Sequence, residues 1–320
     1  MMRMRYIHVA LCVLAAITAA CTADNRELPS AGQPIHEPLQ ISIAQPQMTV
    51  TRSTTDDPGN AWAGNEKIAL VVGNSVGAGD TPASLSDHVY TVSASGTSPS
   101  LTSSGANFWS STSESKKIVS AWSYGTTTAP GLTSHTLTLP YTLPTTQTST
   151  TGELLYSPGA ATKAYTASPN SFSITFYHQL AKVVFSITAD KEQAVTGASM
   201  TVPGTITAIT TLDDDGSGKA VFTVGSDVTV TPDGTAAQTA GTSTPATYSA
   251  VVIPGTYDGK TLLTLTTSAN GTYNYTPATL SLQSGKKYTF NITIKNNLVF
   301  CNSVTVEAWD TSAAAIPVVL

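Results

Sequence analysis

From Ile41 onward, short runs rich in β-branched and aromatic residues alternate with clusters of Gly, Pro, Asn, Asp and Ser, the pattern of strands joined by tight turns. The expected strands are 41–50, 67–72, 89–92, 116–122, 136–139 and 172–176, then 181–188, 206–212, 219–224, 247–253, 261–267, 279–282, 287–294 and 303–307. Several alternate strictly. Tyr288, Phe290, Ile292 and Ile294 fall on one face and Thr289, Asn291 and Thr293 on the other, so one face is buried and one is wet. The strand-helix-strand alternation of a parallel sheet is missing, which excludes the Rossmann and TIM-barrel readings. The expectation is an all-β protein of two antiparallel sandwiches. The stretch 142–170 is rich in Thr, Pro and Gly and mostly lacks apolar runs, so the boundary is placed near residue 170, giving domains at 41–170 and 171–320.

Composition supports a β protein. Of 320 residues, 53 are Thr and 35 Ser, and only 11% are charged, which excludes a charge-rich coiled coil. Mean hydropathy of +0.04, with apolar runs throughout, excludes a disordered chain. A formal net charge of -5 offers no electrostatic footprint for phosphate backbones, so nucleic acid is not an expected partner.

The first residues carry a different signal. Arg3, Arg5 and His8 precede an apolar run from Val9 to Ala20, followed by Cys21. A charged start and a short apolar run ending in small residues are the features of a secretory signal peptide, too short to span a bilayer. Cysteine directly after Ala19 and Ala20 reads as a bacterial lipobox, with signal peptide 1–20 and Cys21 as the diacylated first residue of the exported chain. Acyl chains at about 0.8 kcal/mol per buried CH₂ would hold the protein on a membrane. The polar stretch 21–40, with three prolines, reads as a tether.

No catalytic or metal-binding constellation emerges. Gly73-Asn74-Ser75-Val76-Gly77 matches the nucleophile-elbow pattern, but Ala78-Gly79-Asp80-Thr81-Pro82 beyond it offers no helix to place Ser75 over a parallel sheet. Asp213-Asp214-Asp215-Gly216-Ser217-Gly218 resembles a calcium loop, yet its twelfth position is Val224 rather than a bidentate Glu. His36, His88, His135 and His178 lack partners at metal-ligand spacing, and Cys301 reads as a core residue. Neither an enzyme nor a cofactor is expected.

Arginine placement is informative. All four arginines lie at or before residue 52, so an arginine-specific protease could cut the exported chain only at Arg26 or Arg52. Arg52 follows the first expected strand and precedes the turn-rich Ser53-Thr54-Thr55-Asp56-Asp57-Pro58-Gly59, a loop of the kind proteases choose, and is the expected maturation site. The C-terminal stretch 311–320 becomes apolar toward its end. Two readings stand side by side: a strand given to a neighbouring molecule, or the last strand of its own sandwich. Pro317, lacking an N–H, confines the segment to a sheet edge in either case.

Several pieces together resemble the fimbrillin family, the pilus subunits and related lipoproteins of Bacteroidales. Thr49-Val50-Thr51-Arg52-Ser53 followed by Trp62-Ala63-Gly64-Asn65-Glu66-Lys67-Ile68 is similar to that family's opening, with Asn65-Glu66 in place of a usual Gly-Asp pair. Glu153-Leu154-Leu155-Tyr156 resembles a second segment. Phe176-Tyr177-His178-Gln179-Leu180-Ala181-Lys182-Val183-Val184-Phe185 resembles a third, and Gly285-Lys286-Lys287-Tyr288 with Trp309 a fourth. The resemblance implies two tandem transthyretin-like sandwich domains, lipoprotein export to the outer membrane, no enzymatic activity, and polymerisation with other fimbrial subunits. In the stalk members it also implies that an arginine-specific protease removes the first strand and a strand from another subunit fills the groove. An alternative is an outer-membrane surface lipoprotein that never polymerises and binds host glycans or proteins, with Trp62, Trp109 and Trp122 as stacking platforms.

Overall fold

The computed structural model describes residues 34–38, 40–43, 62, 64–74, 85–93, 101–102, 108–111, 117–131, 138–148, 153–163, 171–174, 176–189, 194–209, 220–234, 244–268, 271–296, 298–309 and 316–318. Every regular element among them is a strand. Sheet I has the spatial order Tyr177–His178, Leu155–Lys163, Lys117–Ser123, Lys67–Asn74, Leu85–Val92 and Leu101–Thr102. Sheet II runs Asp233–Gly234, Ala246–Val252, Ala181–Ala189, Lys286–Lys295, Leu298–Ala308 and Ile316–Val318. Sheet III consists of Asp227–Val230, Val195–Pro203, Leu263–Thr267 and Thr272–Tyr275, and sheet IV of Val221–Val224, Thr205–Ile209 and Thr138–Thr142. Among the described residues, all but two of the strand pairings are antiparallel. Ala181–Ala189 runs parallel to Lys286–Lys295 at the centre of sheet II, and Gln40–Ile43 runs parallel to Ser171–Ile174.

Sheets II and III form a sandwich because most of their strands alternate apolar with polar residues. Val183, Phe185 and Ile187 lie in register with Tyr288, Phe290 and Ile292, all buried, while Ser186 and Thr188 lie level with Asn291 and Thr293 on the outer face. Phe290 stacks on Phe185 at 5.1 Å and meets Tyr275 of sheet III edge-on at 5.9 Å. Each such buried ring contributes about 2–3 kcal/mol by area alone. On the outer face the hydroxyls and amides pair with one another, Thr188 with Thr293 at 3.1 Å and Asn291 with Ser303 at 2.9 Å.

All the expected strands from 67 to 307 contain an observed strand, with ends shifted by a few residues. Three that the pattern hid show why it hid them. Leu155–Lys163 contains Pro158-Gly159, which reads as a turn; here the pair sits where the register with Lys117–Ser123 slips between Ser157↔Ala121 and Ala161↔Val119, a bulge that accepts a residue without an N–H. Val195–Pro203 is rich in small residues and lacks a clear alternation. Pro34–Pro38, inside the stretch read as a tether, pairs with Phe108–Ser111, its prolines tolerated because the sheet has only two strands. Asn65, which stands where the resembling family has Gly, has φ 68° after Gly64 at φ 90°. Asn is among the few side chains that adopt this left-handed region readily, and its N–H donates to Val92 O at 2.9 Å.

Gly204 is the corner at which the chain leaves sheet III for sheet IV. Its N–H donates to Ser226 O at 2.9 Å and its carbonyl accepts from Leu143 N at 2.8 Å. A Cβ there would lie 2.3 Å from Val228 Cγ1, whereas one at Gly131 would meet nothing within 4 Å. Gly204→Ala is expected to lower stability by about 1–3 kcal/mol, read as a lower urea midpoint, with Gly131→Ala unchanged.

Candidate functional site

Among the described residues, the pieces of sequence that carry the family resemblance (62, 64–68, 153–156, 176–185, 285–288 and 309) converge on one place, where the chain passes from sheet I to sheet II. Phe176 is buried edge-on against Trp62, 5.4 Å away. Tyr177 and His178 then pair with Tyr156 and Leu155 to close the edge of sheet I. Gln179 N–H donates to Leu154 O at 2.9 Å, its side-chain amide donates to Tyr177 O at 2.9 Å, and its Oε1 accepts from Ala220 N at 3.0 Å. One buried residue thus supplies the hydrogen bonds that a crossing between sheets would otherwise leave unmade. Two residues later Ala181 opens the long strand of sheet II.

Beside this crossing lies a buried ionisable group. His178 Nδ1 is 2.8 Å from Glu153 Oε2, an electrostatic contact rather than a well-aligned hydrogen bond. The imidazole lies flat on the indole of Trp309, with centroids 4.0 Å apart and planes 9° from parallel. Lys182 Nζ approaches the same indole at 5.8 Å from its centroid. Trp309 is fixed in turn by its backbone N–H, which donates to Gly285 O at 2.9 Å, and Gly285 N–H donates to Leu180 O at 2.9 Å. Burial pushes the Tyr141 hydroxyl's pKa upward, and the Glu153 carboxylate beside it adds to the shift. A His–Glu pair can serve acid-base chemistry, but here His178 and Trp309 are only 3% and 2% exposed. The imidazole is covered on one face by the indole, so the His178–Trp309 stack joins the edge of sheet I to the end of a sheet II strand.

The strand edges are the second feature. Ile316–Val318 pairs with Val306, Thr305 and Val304 at the end of sheet II, so the C-terminal segment is an edge strand of its own molecule. Pro317 stands opposite Thr305, in the edge position that its missing N–H demands. The opposite side of sheet II is closed differently. Gln147 Nε2 donates to Val251 O at 2.9 Å and its Oε1 accepts from Val251 N at 2.8 Å, so one side-chain amide stands in for a neighbouring strand.

Cys21, Arg52, Ser75 and Asp213–Gly218 lie outside the described residues. Trp62 and Trp122 are buried, which removes them as glycan-stacking platforms, and Trp109 belongs to the strand paired with Pro34–Pro38. Cys301 is half-buried on the inner side of Leu298–Ala308, where burial raises its thiol pKa. Sequence reasoning found no metal-ligand partner for His178 and could not supply its actual partners, because Glu153 and Trp309 are distant in the chain. Removing one partner of a buried pair strands the other. Glu153→Leu, which leaves the buried imidazole without its partner, is expected to cost about 1–3 kcal/mol, and Glu153→Leu with His178→Leu to recover part of it, as measured by urea denaturation.

Comparisons with known proteins fit this geometry. The family model described as fimbrillin-like matches residues 51–309, a span that holds the Trp62 turn, the crossing and Trp309. Among solved structures, a proposed cell adhesion protein of Bacteroides uniformis is similar at 16% identity and a TM-score of 0.57, over 87% of this chain and 100% of that one. A proposed cell adhesion protein of Bacteroides ovatus gives 15% identity and 0.53, over 88% and 100%. The tip fimbrial protein Mfa3 of Porphyromonas gingivalis, with a C-terminal truncation, gives 9% identity and 0.51, over 85% and 99%. No curated protein matches the sequence. The structural likenesses establish a common β-sandwich fold, and the family match over most of the chain establishes descent: this protein belongs to the fimbrillin-like family.

Proposed function

We propose that the chain is a structural subunit of a cell-surface fimbria, exported as a lipoprotein through Cys21, matured by cleavage after Arg52 and assembled by strand exchange. It carries two tandem sandwich domains, at 41–170 and 171–320. Its partners are other fimbrial subunits and, through the lipid, the outer membrane. The observation that carries this reading is the placement of the two chain ends. Gln40–Ile43, upstream of Arg52, is laid as a strand along Ser171–Ile174. Cleavage after Arg52 would sever that strand from the body and bare the N–H and C=O groups of Ser171–Ile174. An unpaired strand of this kind is satisfied by adding another. At the other end, Ile316–Val318 is an apolar strand held by three residue pairs, short enough to leave its own sheet for a neighbour's groove. The role is structural and adhesive, not enzymatic. The burial of Trp62 and Trp122 removes two of the three tryptophans on which the reading as a non-polymerising glycan binder was based.

The decisive measurement is the N-terminal sequence of the protein sheared from cells. A start at Ser53 identifies a matured, polymerising subunit, and a start at acylated Cys21 a tethered one. Arg52→Ala should leave a longer surface form that does not join fibres; normal fibres from that variant would refute maturation at Arg52. Labelled palmitate should enter the native chain and be lost from Cys21→Ser, and equal labelling of both would refute the anchor.

A further inference from the structure

Strands Lys117–Ser123 and Leu155–Lys163 are antiparallel neighbours in sheet I, and Ser123 stands opposite Leu155. Neighbours so placed need a turn of only about 2–5 residues. The chain instead runs residues 124–154 between them, and part of that excursion is built into the other half of the molecule. Thr138–Thr142 pairs with Thr205–Ile209 in sheet IV over five residue pairs. Leu143 N–H then donates to Gly204 O at 2.8 Å, Thr231 N–H to Thr145 O at 2.7 Å, and Gln147 N–H to Thr231 O at 3.0 Å. The side-chain amide of Gln147 completes the run on Val251. Among the described residues, every backbone-to-backbone partner of 138–147 thus lies beyond residue 170, although the segment itself lies before it. Its residues have the pattern of a strand laid into a groove. Leu139, Tyr141 and Leu143 alternate inward and join the apolar core that holds Ile206, Ala208 and Val230, while Pro140 and Thr142 are exposed. Without the segment, Thr205–Ile209 would be an unpaired edge beside a bared apolar groove, and the N–H and C=O of Val251 would lose the amide that satisfies them.

We infer that residues 138–147 are a complementing strand which the N-terminal half supplies to the C-terminal sandwich, so that this sandwich is incomplete by itself and opens only as a unit with its strand. Two sandwiches joined by a single crossing would move against one another by default. Here the chain passes between the halves three times: into 138–147, back to Leu155, and across at His178–Ala181. The acceptor groove on the C-terminal half fits an extended strand with apolar residues at alternate positions and a glutamine four residues beyond the last of them. Its occupant is this chain's own segment, and the same sequence offered as a separate strand fits the groove equally. The inference is independent of the strand exchange proposed for the two chain ends.

The test is Leu143→Asp with Gln147→Ala in the full chain, read by amide hydrogen exchange of the monomer. Expelling the strand should speed exchange about ten-fold at Thr205–Ile209 and Val251, and also at Lys286–Lys295 in the centre of sheet II, which pairs with neither. A synthetic peptide of residues 136–149, added in excess, should return these amides to within about two-fold of their native rates, and the same peptide carrying both substitutions should not. If the variant does not fold, the yield of folded protein on refolding with and without the native peptide is the readout, and the peptide should raise it. Faster exchange confined to Thr205–Ile209, Thr231 and Val251 overturns the inference, as does a native peptide that restores neither exchange nor folding. Fibre formation is not part of the readout, so the outcome stands apart from that of the proposed assembly.

Discussion

The chain must leave one sheet and enter another between His178 and Ala181, at a buried point where solvent cannot satisfy its backbone. The whole architecture depends on how that crossing is paired. Gln179 places its backbone N–H on Leu154 and its side-chain amide on Tyr177 and Ala220, and Leu180 receives Gly285. The contacts draw together 154–156, 177–182, 220, 285 and 309, segments far apart in sequence. Each unmade bond of this kind would cost about 1–3 kcal/mol. A single glutamine therefore ties the edge of sheet I, through Leu154 and Tyr177, to Ala220 at the start of a sheet IV strand.

The sheets that could be read from the sequence are those whose inner and outer residues alternate without interruption. Residues 181–189 and 286–295 follow the period of two almost to their ends, and their strands are where the pattern placed them. What the pattern could not show was that these two strands are neighbours running parallel, because pairing partners separated by about a hundred residues leave no local trace. Proline was informative at one place and misleading at another. Pro317 lies on the edge that its missing N–H demanded, whereas Pro158-Gly159, which reads locally as a turn, sits in a bulge within a strand. The joint was half legible. The segments containing Glu153, His178 and Trp309 were singled out by resemblance, but only the three-dimensional fold brings the carboxylate, the imidazole and the indole into one contact.

Edges are managed unequally. Asp233–Gly234 is a two-residue strand, too short to template another chain. Next to it Gln147 occupies the N–H and C=O of Val251. On the far side of the same sheet the final partner is Ile316–Val318, which covers only Val304–Val306 of an eleven-residue strand. Leu298 and Phe300, at the other end of that strand, are exposed apolar side chains.

The clasp of Gln147 on Val251 has a geometric consequence. A sheet whose two margins were alike could be lengthened from either, and molecules joined through it would meet head to head as readily as head to tail. Here one margin is capped at Val251 by a side chain that imitates a peptide group, and the other ends in the three-residue strand Ile316–Val318. Asymmetry between margins gives the sheet a sense of direction. A chain of molecules built on such a sheet has distinguishable ends, written into each monomer by one amide.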